Sequence, residues 1–227
     1  MSDAHFRALA RQAKARYPAN DRFARHFASG KLNGDPVFAH LVSQRLIPGG
    51  ARVLDLGCGQ GLVALLLELA GTPAASFHGI DLRQRDIDRA RAAAPQGRWV
   101  AGDIRSEPFP ASDAVVILDV LHYIEPAEQR EVLTRARDAL AGGGVLLLRV
   151  ADANGSLRFR YTLLVDRIVT GLRGGGWPRL HARPVAEWRA LLEELGFRVE
   201  ARAMSAGTAF ENVLCAARYD GSKPHHD

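Results

Sequence analysis

The spacing of apolar positions changes twice along this chain. Between Ser2 and Tyr17, Phe6, Leu9 and Ala13 recur at helical spacing, as do Phe23 and Phe27 between Asp21 and Lys31. The breaker pair Pro18-Ala19 separates these two predicted helices. Asp35-Pro36 opens a third, with proline at its first position; it runs Val37 to Leu46 and stops at Pro48-Gly49-Gly50. Short apolar runs and helical stretches then alternate. Strands are predicted at Arg52 to Leu56, Ser76 to Asp81, Arg98 to Ala101, Ala114 to Asp119 and Val145 to Val150. Helices are predicted at Leu62 to Ala70, Gln84 to Ala94 and Ala127 to Ala141. Such alternation reads as a parallel sheet with helices on both faces and right-handed crossovers.

After Val150 the rhythm breaks. Ala151 to Pro184 holds an arginine-flanked helix, Leu157 to Leu172, and the loop Gly174-Gly175-Gly176-Trp177-Pro178. Order returns with a helix at Val185 to Leu195 and strands at Phe197 to Met204 and Asn212 to Arg218. The short link between those two strands allows only antiparallel pairing, because a parallel crossover needs a dozen or more residues. The expected organisation is one α/β domain over 1–219, with a helical cap at 1–50 and a lid-like insert at 151–184. Residues 220–227 read as a loose tail, its His225-His226 pair included.

Composition narrows this picture modestly. The 227 residues are 47% hydrophobic, enough for a core, and no apolar run approaches a bilayer span. The first seventeen residues lack the apolar centre of a signal peptide. Cys58 and Cys215 suggest no disulfide framework, so a cytoplasmic protein with reduced thiols is expected. The net charge of +5 comes almost wholly from arginines interleaved with acids, which disfavours a nucleic-acid footprint.

The chemistry concentrates in Val53-Leu54-Asp55-Leu56-Gly57-Cys58-Gly59-Gln60-Gly61. A strand there ends in an acid, turns through alternate glycines and enters a helix, which is how backbone is brought close to a ligand. A plain structural turn would need one or two glycines and no Asp55. A dinucleotide turn would place its third glycine at position 62, which is Leu62. Gly79-Ile80-Asp81-Leu82 ends the second strand, where a carboxylate can accept two ribose hydroxyls side by side. Ala101-Gly102-Asp103-Ile104 follows the third strand, and Asp113 to Ile124 (DAVVILDVLHYI) spans the fourth. There is no His-Glu-x-x-His, Cys-x-x-Cys, Gly-x-Ser-x-Gly or phosphate loop ending in Gly-Lys-Ser/Thr, and no metal site is expected.

Asp-x-Gly-x-Gly-x-Gly over Asp55 to Gly61 resembles motif I of the class I S-adenosylmethionine-dependent methyltransferases, and the later acids resemble the family's following motifs. The resemblance covers residues 50 to 150 by motif and Val185 to Tyr219 by topology. It implies a Rossmann-like seven-stranded sheet in the order 3-2-1-4-5-7-6 with the last strand antiparallel. It also implies S-adenosyl-L-methionine as cofactor, with Asp55, Gly57, Gly59 and Gly61 around its methionine end and Asp81 and Leu82 at the ribose. Asp103 and Ile104 would read the adenine, and Asp119 would lie along the methionine or ribose side. His122 and Tyr123 would be nearest the transferred methyl, His122 either as a base or simply packed beneath the cofactor. Asp55 suits this donor, whose methionine end carries an ammonium and a sulfonium.

The expected reaction is in-line methyl transfer to a small molecule, an aromatic, polyketide or acyl-type metabolite, free or bound to a carrier protein. The cap and insert would close over the site and select the acceptor, with Arg22, Phe23, His26, Lys31, Arg149, Arg158, Tyr161 and Trp177 as candidates. In the insert, Leu157, Tyr161, Leu164, Val165, Ile168 and Leu172 form an apolar stripe edged by Arg158, Arg160, Arg167 and Arg173. That is either a helix packed on the sheet or a lid over an apolar acceptor. The other classes are a nucleic-acid or protein methyltransferase, a cofactor-binding relative without catalysis and an NAD(P)-dependent oxidoreductase. The nucleic-acid class is disfavoured because no Asn/Asp-Pro-Pro-Tyr/Phe-like motif follows strand four and no stacking platform is evident.

Overall fold

The computed structural model describes residues 2–153, 180–205 and 211–221. Three helices come first: α1 (Asp3–Arg16), α2 (Arg22–Gly34) and α3 (Pro36–Ser43). Each starts on a side-chain oxygen that accepts a first-turn N–H. Ser2 Oγ accepts from His5 at 3.3 Å, Asp21 Oδ1 from Ala24 at 2.9 Å and Asp35 Oδ1 from Val37 at 3.2 Å. α1 buries Phe6, Leu9, Ala10 and Ala13, in keeping with its spacing. α2 departs from expectation. It buries Ala24, Ala28 and Leu32, while Phe23 and Phe27 stack on each other at 6.1 Å along its flank. Small residues on the buried side allow α2 close to α1, whereas two phenylalanines there would hold the helices apart.

The sheet contains β1 (Arg52–Leu56), β2 (Ser76–Asp81), β3 (Arg98–Ala101), β4 (Ser112–Leu118), β5 (Leu140–Ala151), β6 (Phe197–Ala203) and β7 (Asn212–Tyr219). Its order is β3-β2-β1-β4-β5-β7-β6, parallel from β3 to β5, with β7 antiparallel to both of its neighbours. This is the predicted topology. Helices α4 (Leu62–Leu69), α5 (Gln84–Ala93), α6 (Pro126–Ala139) and α7 (Val185–Glu194) complete the described elements.

Alternation along the strands separates two buried layers. Val53, Ala114, Val116, Val145 and Leu147 face the layer filled by α1 to α5. Leu54, Leu56, Val115, Ile117, Leu146, Leu148 and Val150 face the layer filled by α6 and α7. The N-terminal helices therefore share a core with the sheet. Several boundaries moved by a few residues, most of all at β5: α6 ends at Ala139 and β5 begins at Leu140, which pairs with Ser112 across a register irregularity. Gly142-Gly143-Gly144 cannot prolong the helix cheaply, and strand pairing takes over.

Because β1 to β4 run in parallel, their C-terminal ends share one edge. The glycine turn, Leu82, the Gly102-Asp103-Ile104 turn and Asp119 all lie along it. In an open α/β sheet that edge is where ligands bind. From the insert, residues 154–179 lie outside the described part, and with them Arg158, Tyr161 and Trp177.

Candidate active site

The turn after β1 is fastened to β2. Gly57 and Cys58 donate their backbone N–H groups to Ile80 O at 2.7 and 3.1 Å, and Gly59 N–H donates to Asp81 Oδ2 at 2.9 Å. Asp81 Oδ1 accepts the Arg83 N–H at 2.9 Å, so the carboxylate at the end of β2 is fixed in aim with lone pairs to spare. Beyond it stands Leu82, 74% exposed, an apolar surface beside an acid.

The glycines of this turn serve different ends. Gly59 has φ +53° and open space where a Cβ would point. Gly61 has φ +77°, and a Cβ there would meet Trp99 Cη2 at 2.8 Å and Ala90 Cβ at 3.1 Å. Gly61 thus seats the turn on α5 and β3, and Gly59 leaves the outer side free for a ligand. A Cβ on Gly57 would run into the Val120 side chain of the turn after β4, which brings the first and fourth motifs into contact.

Asp55 is 3% exposed, and its Oδ2 has no hydrogen-bond partner among the described residues. Burial, reinforced by the nearby Asp81 charge, pushes its carboxyl up to about 8. An acid so placed is without a counter-charge. The other acids are already engaged. Asp103 is gripped by Arg105 through Nε at 3.0 and 2.9 Å and Nη2 at 2.6 Å, which holds its carboxyl below the usual range. Arg105 in turn reaches Glu128 at 2.9 Å. Ile104 is buried, and its carbonyl accepts from Arg135 at 3.0 Å.

Asp119 directly follows β4 with φ +59°, a left-handed conformation uncommon outside glycine. Both of its oxygens accept from the Arg149 guanidinium, one of them at 2.7 Å from Nε. Lys31 Nζ lies 3.4 Å from Asp119 and 3.4 Å from Asp35. Arg149 also donates to Asp35 Oδ1 at 2.5 Å, so the cap is bound to the tips of β4 and β5 by alternating charges. Against the burial of Asp119, the Arg149 and Lys31 charges keep its carboxyl far below the ordinary value. In this structure Asp103 and Asp119 face protein cations, whereas Asp55 Oδ2 is buried without a partner among the described residues.

His122 and Tyr123 lie in a 3₁₀ turn, Leu121–Tyr123, with ring centroids 4.2 Å apart. His122 is buried, and burial lowers its pKa to about 4, Asp119 opposing and Arg149 assisting. It is a neutral, weak base at pH 7. Its carbonyl accepts the His181 N–H at 2.8 Å, and Gln129 Nε2 bonds Leu121 O, Ile124 O and His181 O at 3.1, 3.1 and 2.8 Å. The chain returning from the insert is therefore moored on the turn that carries His122.

Sequence reasoning did not find how the cap reaches the glycine turn. Tyr17 donates its hydroxyl to Gln60 O at 2.8 Å, and burial raises its phenol well above the usual range. Arg89 joins Asp21 (2.7 Å) to Asp86 (3.1 Å), with its guanidinium 4.7 Å from the Phe23 ring centroid. One signal was available: Arg149 interrupts the apolar run Val145 to Val150, and an arginine inside a buried strand requires acids.

Residues 53–144 match the family model described as a methyltransferase domain. The matched stretch carries the glycine turn, Asp81, Asp103 and Asp119, and in it the chain is similar to the class I S-adenosylmethionine-dependent methyltransferases. Carboxy-S-adenosyl-L-methionine synthase of Chromohalobacter salexigens is 36% identical over 115 residues, 48% of this chain and 43% of that protein. N,N-dimethyltransferase OxyT of Streptomyces rimosus is 32% identical over 158 residues, 66% of this chain and 44% of OxyT. The chain spans less than half the length of these two curated relatives. The crystal structure of magnesium protoporphyrin IX methyltransferase from Synechocystis PCC 6803 with bound S-adenosylhomocysteine superposes with a TM-score of 0.60 at 22% identity, covering 95% of this chain and 97% of that one. At that identity the likeness is one of fold. Among the described residues no helix is long and apolar enough to cross a membrane, and no cluster of metal-ligating side chains occurs.

Proposed function

We propose that the protein transfers a methyl group from S-adenosylmethionine to a small-molecule acceptor. The observation carrying this reading is the pairing of the partnerless buried Asp55 oxygen with the open side of Gly59 at one strand edge. The first suits the ammonium of the methionine end, and the second lets a ligand lie against backbone. Asp81 would take the ribose hydroxyls and Leu82 would underlie the base. Gly57 and Gly61 would act through packing, and Asp103, Ile104 and Asp119 by shaping the rim of the cradle.

The cofactor supplies an activated methyl on sulfur. The chain's part is to position donor and acceptor in line and to keep water out, which can account for most of the rate. His122, neutral at pH 7, would pack beneath the reacting groups, and its low basicity favours an acceptor that needs little deprotonation. Tyr123, at the exposed end of the same turn, would face the acceptor. The domains, the cytoplasmic location and carrier-bound delivery are part of this reading.

Relatives whose names state small acceptors support the choice of class: acetylserotonin O-methyltransferase of Mus musculus and trans-aconitate 2-methyltransferase of Variovorax paradoxus. The test has two stages. S-adenosylhomocysteine should raise the melting temperature where NAD does not. Labelled cofactor incubated with the protein and a bacterial extract should then label the small-molecule fraction. Label confined to nucleic acid or protein would refute the acceptor class, and stabilisation by NAD alone would refute the cofactor.

A further inference from the structure

We propose that Asp55 is a proton site which the cofactor empties: the ligand-free carboxyl is neutral, and the cationic methionine end binds as that proton leaves to solvent. The inference rests on the cofactor reading above.

The geometry gives Asp55 no other means of neutralisation. It is buried at the end of β1, its Oδ2 is without a partner, and no lysine or arginine of the described residues reaches it. The groups around it come from several elements. From β2 comes Asp81, of like charge. From the glycine turn comes the Cys58 thiol, which burial and the Asp81 and Asp86 charges hold well above its ordinary pKa, hence neutral. Asp86 of α5, which acts on the Cys58 thiol, is already answered by Arg83 at 2.8 Å and Arg89 at 3.1 Å.

Asp55 is thus an acid at the cradle with burial and a neighbouring anion against its charge and nothing in favour of it. An ionised carboxylate in that position is disfavoured by burial and by the Asp81 charge, and the group keeps its proton instead. Arrival of an ammonium reverses the balance. The O–H bond of Asp55 breaks, its electron pair stays on the carboxylate, and the proton passes to buffer.

At pH 6.5 the α-amino group of the ligand is charged, because its ordinary pKa is about 8. Binding of S-adenosylhomocysteine should then release about one proton, and its affinity should rise up to about tenfold per pH unit between pH 6 and 7. The experiment is calorimetric titration of the protein with S-adenosylhomocysteine at pH 6.5 in buffers of different ionisation enthalpy. The slope of observed enthalpy against buffer enthalpy counts the protons. Asp55→Asn imitates the neutral acid, should fold, and should bind with a slope near zero. 5′-Methylthioadenosine, which lacks the amino-acid end, should bind the wild type without proton release.

Binding of S-adenosylhomocysteine to the wild type with no proton released would overturn the proposal and leave the cofactor reading standing. Release that persists in Asp55→Asn would assign the proton to another group and overturn it equally. Failure of the wild type to bind either ligand would remove the cofactor reading, and the proposal with it.

Discussion

Two glycines of one turn should fail in opposite ways when given a methyl group. Gly61→Ala puts a Cβ 2.8 Å from Trp99 Cη2 in a left-handed backbone. The indole cannot yield, since Trp99 is 5% exposed and its Nε1 donates to Ala94 O at 2.8 Å. The conformation costs about 1–2 kcal/mol and the overpacking about 1–3 kcal/mol. At about 2–4 °C per kcal/mol for a chain of this size, the melting temperature should fall by roughly 5–15 °C. Gly59→Ala meets nothing within 4 Å and bears only the conformational cost, so it should melt within a few degrees of wild type. Ligand response should sort the pair the other way. At a hundredfold excess over its Kd, S-adenosylhomocysteine stabilises the wild type by about 2.7 kcal/mol. Gly61→Ala should keep that increment and Gly59→Ala should lose most of it. Thermal melts of the three proteins with and without ligand decide the matter. A Gly61→Ala protein as stable as wild type would refute the packing argument, and a Gly59→Ala protein with the full ligand shift would refute the cradle.

Asp81→Asn should weaken S-adenosylhomocysteine binding by about 10- to 100-fold, the loss of charge-assisted hydrogen bonds, measured by titration calorimetry. Arg149→Met leaves Asp35 and Asp119 without their buried partner and should cost about 3–5 kcal/mol in urea unfolding. For Asp55 the folded pKa lies above the unfolded one, so its contribution to ligand-free stability is full below pH 3.8 and lost as pH rises to about 8. The stability difference between wild type and Asp55→Asn should therefore shrink by about 1.4 kcal/mol per pH unit across that window, and a flat difference would contradict it. The His122 ring signals in NMR should not titrate between pH 5.5 and 8, because its pKa lies near 4.

The sheet was legible because its signals are local. β1, β2 and β3 begin and end where apolar runs meet polar or glycine residues, and the short link after β6 forces β7 to be antiparallel. The placement of Asp55, Gly59 and Asp81 at one strand edge was legible for a similar reason: each ends or follows a strand in a fixed motif. What escaped was tertiary. Phe23 and Phe27 carry a helical period, yet the period cannot say that α2 needs Ala24 and Ala28 against α1. The Tyr17 bond to Gln60 spans 43 residues and the Arg149 bond to Asp35 spans 114, distances over which spacing carries no information. Arg149 on Asp119 and Arg105 on Asp103 were likewise beyond the sequence, since only the three-dimensional arrangement brings those pairs together.

The left-handed backbone at Asp119 limits how this sequence can drift. Asparagine and glycine tolerate that conformation best, and either would leave Arg149 buried with a single counter-charge in Asp35. Position 119 is therefore not free to change alone. Among descendants of this chain, loss of the acid at 119 should be accompanied by loss of the arginine at 149, and the lysine at 31 should then become dispensable. The three positions should then be inherited as one unit, although they lie far apart in the sequence.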